Sequence, residues 1–189
     1  MFEALVNNLD QTALGILISM FTGIRIGELC ALTWKDISLE NNTIRIQRTM
    51  QRIQTPDDAA KTKVFILEPK SSSSVREIPI AKVLREYLEQ QQKKEGYVLS
   101  GKVYKYVEPR TVQNRFKGIM KNCNIDNASF HTLRHTFATR CIEIGFDIKS
   151  VSEILGHANV NITLNRYVHP SMDSKQKNMD MLSDLFIVK

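Results

Sequence analysis

Four histidines, His131, His135, His157 and His169, fall within 39 residues of the C-terminal third, and the rest of the chain has none. Histidine exchanges protons near neutral pH, so this bias points to a site. On a helix His131 and His135 lie one turn apart and share a face, the arrangement that zinc hydrolases use in H-E-x-x-H. Here the stretch reads His-Thr-Leu-Arg-His, so the glutamate base is missing and Arg134 stands between the histidines. A cation there opposes a metal ion. It suits an anion, because a planar guanidinium can bind two phosphate oxygens together.

The charge distribution points the same way. The 189 residues carry 26 basic and 20 acidic side chains, for a net +6. Residues 61–121 hold 14 of the basic and 6 of the acidic ones, a local net +8, which invites a polyanion such as nucleic acid. A solvated basic surface explains the charge alone equally well. Cys30, Cys123 and Cys141 are far apart and form no CxxC pair for zinc or a disulfide framework, which fits a reducing cytoplasm. The longest apolar run, Ala13 to Phe21, is too short to span about 30 Å of hydrocarbon. The expectation is a soluble, cytoplasmic protein without a membrane segment.

Something must hold such a site in place. The length fits one domain, and 42% apolar residues allow a real core. Gly and Pro together number 13, well below the roughly 12% of average usage, which favours long regular elements. The spacing of Ala13, Leu14, Leu17, Ile18 and Phe21 predicts a helix that Thr22-Gly23 ends, and a second helix begins near Ile26. Thr43–Gln47, Val64–Leu67 and Arg76–Ile80 predict one small antiparallel sheet, with Ser71–Ser74 as a hairpin tip between the last two strands. Helices are predicted over 81–92, 111–122, 131–144, 148–155, 162–168 and 175–185. The fold class is α+β, mainly helical, with a three-stranded sheet on one side. No Gly-rich phosphate loop supports nucleotide chemistry.

Phe130-His-Thr-Leu-Arg-His-Thr-Phe-Ala-Thr-Arg140, then Ile154-Leu-Gly-His157 and Tyr167 ten residues later, resemble the C-terminal boxes of tyrosine recombinases, the phage integrase family. Thr22-Gly-Ile-Arg25-Ile-Gly-Glu28-Leu, leading to Trp34 and Asp36, resembles the first arginine box. Pro69-Lys70, four serines and Arg76-Glu-Ile-Pro79 resemble the hairpin that carries the family's lysine. The wording is nearest to integrases of conjugative transposons and prophages. The resemblance implies site-specific DNA strand cleavage and religation through a 3′-phosphotyrosine, with no metal or nucleotide cofactor. It implies double-stranded DNA and further protomers as partners, a tetramer on synapsed DNA and a monomer when free. Residues 1–189 then read as the catalytic domain without the family's N-terminal DNA-gripping domain.

The site that the resemblance implies comprises Arg25, Lys70, His131, Arg134, His157 and Tyr167. Arg25 and Arg134 would bind the charge that builds on the nonbridging phosphate oxygens, and His157 would add a hydrogen bond. Tyr167 would be the nucleophile, His131 its base and Lys70 the acid for the departing 5′ oxygen. Glu28 would orient Arg25. Lys61 and Lys63 rival Lys70, and four other tyrosines rival Tyr167 by type alone. His135 and His169 are assigned to structure, Trp34 to the core, and the apolar tail Met179–Lys189 to an adjacent protomer. The alternative is a noncatalytic helix-turn-helix DNA-binding protein, built on Ile148–Tyr167 about a Gly-containing turn. Type IB topoisomerases and telomere resolvases use similar chemistry on other substrates.

Overall fold

The most apolar stretch of the sequence becomes the helix around which the rest is assembled. In the computed structural model, which describes residues 1–55, 62–68, 74–168 and 172–184, α1 (Phe2–Asn7) leads into α2 (Gln11–Thr22). Asp10 caps α2 by accepting from the Ala13 amide at 2.7 Å. Leu14, Ile16, Leu17 and Ile18 are all fully buried, so α2 has no solvent face along this run. Gly23 ends it in the left-handed region at φ 63°. A Cβ at Gly23 would lie 2.6 Å from a Phe137 ring carbon and 2.8 Å from a Leu155 methyl, so glycine also permits the close approach of two later helices. The next residues are therefore held tightly where α3 (Ile26–Ala31) begins.

After a 3₁₀ turn at Trp34–Asp36 come β1 (Ile37–Ser38), β2 (Thr43–Ile46), β3 (Thr49–Gln54), β4 (Thr62–Leu67) and β5 (Arg76–Pro79). A three-stranded antiparallel sheet is present, in the order β1-β2-β5. Ile44 pairs with Ile78 on its core side, and Arg45 pairs with Glu77 on the other, opposite charges facing one another. Its membership corrects the sequence reading. Val64–Leu67 lies in β4, which pairs with β3 in a separate two-stranded ribbon and not with β5. Period-two alternation identifies a strand but not its partner, and β3 shows little alternation because four of its six residues are exposed. The expected serine hairpin tip lies largely outside the described residues.

The remaining chain is helical: α4 (Lys82–Gln91), α5 (Pro109–Asn122), α6 (Phe130–Glu143), α7 (Ile148–Leu155), α8 (Val160–Tyr167) and α9 (Met172–Asp184). These match the six expected helices to within three residues at each end. The principal core gathers α2, α3, the sheet and faces of α4 and α5, with Trp34 buried in it as expected. A smaller cluster of Ala138, Cys141, Val151 and Leu155 joins α6 to α7, and the Tyr167 ring packs against it. That second cluster docks α8. Met172, Met179, Met181 and Leu182 of α9 are exposed, while residues 185–189 of the tail lie outside the described residues. Among the described residues no helix is long and apolar enough to cross a membrane.

Candidate active site

The last turn of α7 gathers the arginines. Asp147 caps its start, accepting from the Ser150 amide at 2.8 Å, and Gly156 ends it at φ 65°. A helix that stops there leaves its final carbonyls without intrahelical donors and at the negative end of the helix dipole. Three successive carbonyls each accept from a different guanidinium. Arg76 Nε donates to Ile154 O at 2.6 Å, Arg134 Nη2 to Leu155 O at 2.8 Å and Arg25 Nη2 to Gly156 O at 3.3 Å. The donors come from β5, from α6 and from the residue that caps α3, so one helix end assembles three distant cations.

Glu28 holds two of them. Its carboxylate accepts from Arg25 Nη1 at 2.9 Å and from the Arg25 amide at 2.9 Å, which satisfies an amide that α3 leaves without an intrahelical partner at its start. It also takes a bidentate pair from Arg76, at 2.9 and 3.1 Å. Burial alone would push its pKa up, but the hydrogen bonds and charges of Arg76 and Arg25 outweigh that and hold it below the ordinary value. Glu28 therefore orients Arg25, as expected from its place one turn on. The sequence places Arg76 in a strand and in the box that resembles the lysine hairpin but not in the site, yet its side chain is nearly as buried as that of Glu28, at 6% and 4% exposure. The type and spacing of Arg76 signalled nothing, because its partners are 48 and 78 residues away.

Arg134 lies beneath this layer, 4% exposed, and donates from Nη1 to Gly23 O at 2.8 Å. Burial and the neighbouring Arg25 charge push its pKa down to about 9, with Glu28 acting in the other direction. It stays protonated at neutral pH. Three guanidiniums thus stand near a single carboxylate that pairs with only two of them, Arg25 and Arg76, and the excess positive charge is what a phosphate oxygen would neutralise.

His157 follows directly on Gly156. Its Nδ1 lies 2.8 Å from the Thr163 hydroxyl, a residue of α8 with no exposed surface. Burial first, then Arg134, Arg25, Arg166 and Arg76, push its pKa down to about 4. The ring is neutral at pH 7 and can donate only one hydrogen. An unfolded histidine takes a proton near pH 6.5, so His157 opposes folding progressively as pH falls from about 6.5 towards about 4, and contributes nothing above that window. In a histidine-resolved NMR titration of the free chain, the His157 ring should not titrate between about pH 5 and 8. A midpoint near 6.5 would contradict the four-arginine environment.

Tyr167 ends α8. Its ring centroid is 5.6 Å from that of His135, which in turn is 4.5 Å and perpendicular to that of His131. His135 Nε2 lies 2.9 Å from Arg166 Nη2, so the guanidinium occupies its lone pair and the ring cannot receive the tyrosine proton there. Burial and neighbouring cations keep His131 and His135 below the ordinary histidine value. The sequence reading set His135 apart as structural, whereas it stands between His131 and Tyr167. Of the six expected site residues, Arg25, Arg134 and His157 meet at the end of α7, and His131 and Tyr167 are linked through His135. Lys70 lies outside the described residues, as do Lys61 and His169. The rival tyrosines are elsewhere: Tyr87 packs on Phe2, Tyr97 on Tyr106, and Tyr104 is 98% exposed. Among the described residues no group of three or more His, Cys, Asp or Glu is placed to hold a metal.

The model of the family described as "Phage integrase family" matches residues 3–174. A relative described as a tyrosine recombinase XerC-like protein, from Caldanaerobacter subterraneus subsp. tengcongensis, is 32% identical over 90% of this chain and 49% of its own length. The transposase of transposon Tn916 from Enterococcus faecalis is 29% identical over 89% of this chain and 44% of its own length. The chain thus spans about half the length of these relatives. Among solved structures, the integrase of transposon Tn1549 in complex with a circular intermediate DNA superposes with a TM-score of 0.72 at 27% identity, covering 90% of this chain and 58% of that one. The XerA recombinase shares the fold, with a TM-score of 0.67 at 22% identity over 95% of this chain and 58% of that one.

Proposed function

Because the chain belongs to the phage integrase family, we propose that it acts as a site-specific tyrosine recombinase, breaking and rejoining double-stranded DNA through a covalent 3′-phosphotyrosine. The observation that carries this reading is the convergence of Arg25, Arg134 and His157 on the end of α7, with Tyr167 on the helix that follows. The phenol oxygen attacks the scissile phosphorus, the phenol proton passes to a base, and the 5′ oxygen leaves carrying a proton from an acid. An unperturbed phenol with a pKa near 10 is ionised about once in a thousand at pH 7, a deficit of roughly 4 kcal/mol, so a base is needed. His131 fills that role in this reading: burial and neighbouring cations hold its pKa below the ordinary histidine value, which favours the free base, and its ring stands beside His135, against which Tyr167 packs. Arg25 and Arg134 bind the charge growing on the nonbridging oxygens, and His157 donates a further hydrogen bond. Bond energy is kept in the tyrosyl phosphate, so religation needs no nucleotide.

Double-stranded DNA and further protomers are the partners in this proposal, a tetramer on synapsed DNA and a monomer when free. Arg110, Lys117 and Lys121 form an exposed basic stripe along one face of α5, suited to backbone phosphates. The exposed methionines of α9 offer apolar surface to a neighbouring protomer. The helix-turn-helix alternative uses the same α7–Gly156–α8 segment but leaves the arginine cluster at its turn without a role. The deciding experiment is a nicked suicide substrate, which should trap a covalent protein–DNA adduct with EDTA present. No adduct on any family-like core site would refute the recombinase reading.

Lys70 as the acid has its own test. A 5′-bridging phosphorothioate leaves as a thiolate and needs little protonation, because a thiol is several pK units more acidic than an alcohol. Lys70→Ala should be severely impaired on ordinary DNA and largely restored on the sulfur-substituted strand. Rescue of Lys63→Ala or Lys61→Ala in its place would move the acid to another lysine.

A further inference from the structure

We propose that Thr163 is a positioning residue that fixes the tautomer of His157, its hydroxyl donating to Nδ1 so that Nε2–H is the one donor the ring presents. The argument starts from the hydroxyl. Thr163 has no exposed surface, and among the described residues its oxygen has a single hydrogen-bond partner, His157 Nδ1 at 2.8 Å. A buried hydroxyl hydrogen needs an acceptor. Threonines on helices commonly give theirs to the carbonyl one turn back, as Thr22 does to Ile18 O at 2.6 Å. Thr163 makes no such bond, so Nδ1 is the acceptor left to it.

That settles the ring. If Nδ1 carried the hydrogen, two donors would face each other, or the hydroxyl hydrogen would be buried without an acceptor. With Nδ1 accepting, a neutral imidazole must be protonated at Nε2. Burial and the surrounding arginines keep the ring neutral, so no second proton blurs the choice. An anion held by Arg25 and Arg134 then meets a donor at Nε2 and not a lone pair. The logic is that of histidine ligands, whose outer partner sets which nitrogen faces the centre. Thr163 also lies one turn before Tyr167 on α8, so the helix that presents the nucleophile carries the group that orients His157.

The proposal rests on the recombinase reading for its effect on cleavage but not for its effect on the ring. In the full chain with ¹⁵N-labelled histidine, and with His157 assigned by its loss in His157→Ala, the ring at neutral pH should show a protonated Nε2 and a bare Nδ1. Thr163→Val, nearly isosteric, should shift it to a mixture or to Nδ1–H, and Thr163→Ser should restore it. A wild-type ring protonated at Nδ1, or a ring unchanged in Thr163→Val, overturns the proposal. On a suicide substrate Thr163→Val should slow cleavage roughly 10–100-fold at unchanged DNA affinity, with Ser rescuing. It should add little in a His157→Ala background, and a full additional loss there would overturn the proposal by showing that Thr163 acts elsewhere. If the unmodified chain cuts no DNA, the recombinase reading fails and the ring measurement still decides the role of Thr163.

Discussion

Tyr167→Phe should reduce covalent adduct formation to background, on the order of 10⁵–10⁶-fold, because deleting a nucleophile outright removes the reaction path and not just a stabilising contact. The substitution is otherwise mild. The Tyr167 hydroxyl makes no hydrogen bond to the described residues, and its ring packs against the cluster of Ala138, Cys141, Val151 and Leu155, which a phenylalanine ring fills equally well. Thermal unfolding should therefore change by no more than about 0.5 kcal/mol. DNA affinity should also be kept, since backbone phosphates are bound by cations and not by the phenol. The measurement is a denaturing gel of the suicide-substrate reaction with and without EDTA. Chelation should leave the wild-type adduct intact. Cleavage that requires Mg²⁺ and survives Tyr167→Phe would identify a metal-dependent nuclease instead.

Arg25→Ala should cost on the order of 10³-fold in cleavage rate while changing DNA affinity far less, because its charge is needed most when the nonbridging oxygens become more negative. Arg25 is the cleaner of the two arginines to remove. Its side chain is 41% exposed, and Glu28 keeps a bidentate partner in Arg76 after its loss. Arg134 is embedded, and its replacement strips the donors from Gly23 O and Leu155 O, at a cost of about 1–3 kcal/mol for each carbonyl left buried and unpaired. Arg134→Lys keeps the charge but cannot span both carbonyls, so it should also fail in cleavage. Single-turnover cleavage and binding, measured on the same DNA, separate the two effects. Equal losses in both for Arg25→Ala would mean that the residue binds DNA generally and does not act on the transition state.

Much of this protein is written locally. Apolar spacing marks α2, and Thr22-Gly23 marks its end, because helix periodicity and a left-handed cap are properties of a few neighbouring residues. The bounds of α7 were legible for the same reason: Asp147 begins it and Gly156 stops it. The order of the arginine, histidine and tyrosine boxes identified the residue types of the site, since chemistry that binds phosphate draws on a short menu of side chains. Glu28 was legible too, lying three residues from Arg25 on the same turn.

What tertiary structure decided is who meets whom across long stretches of chain. Arg25 reaches Gly156 O over 131 residues, Arg134 reaches Gly23 O over 111, and Arg76 reaches Ile154 O over 78. The acceptors are backbone carbonyls, which every residue possesses, so no side-chain pattern can announce them. The same holds for the strands, where β4 alternates as β5 does but pairs with the mostly exposed β3, and for His135, whose place beside Tyr167 depends on how α8 packs on α6. Residue type fixed the chemistry available to this chain. The carbonyls that one helix end leaves without intrahelical donors, reached only after folding, fixed where three of its cations stand.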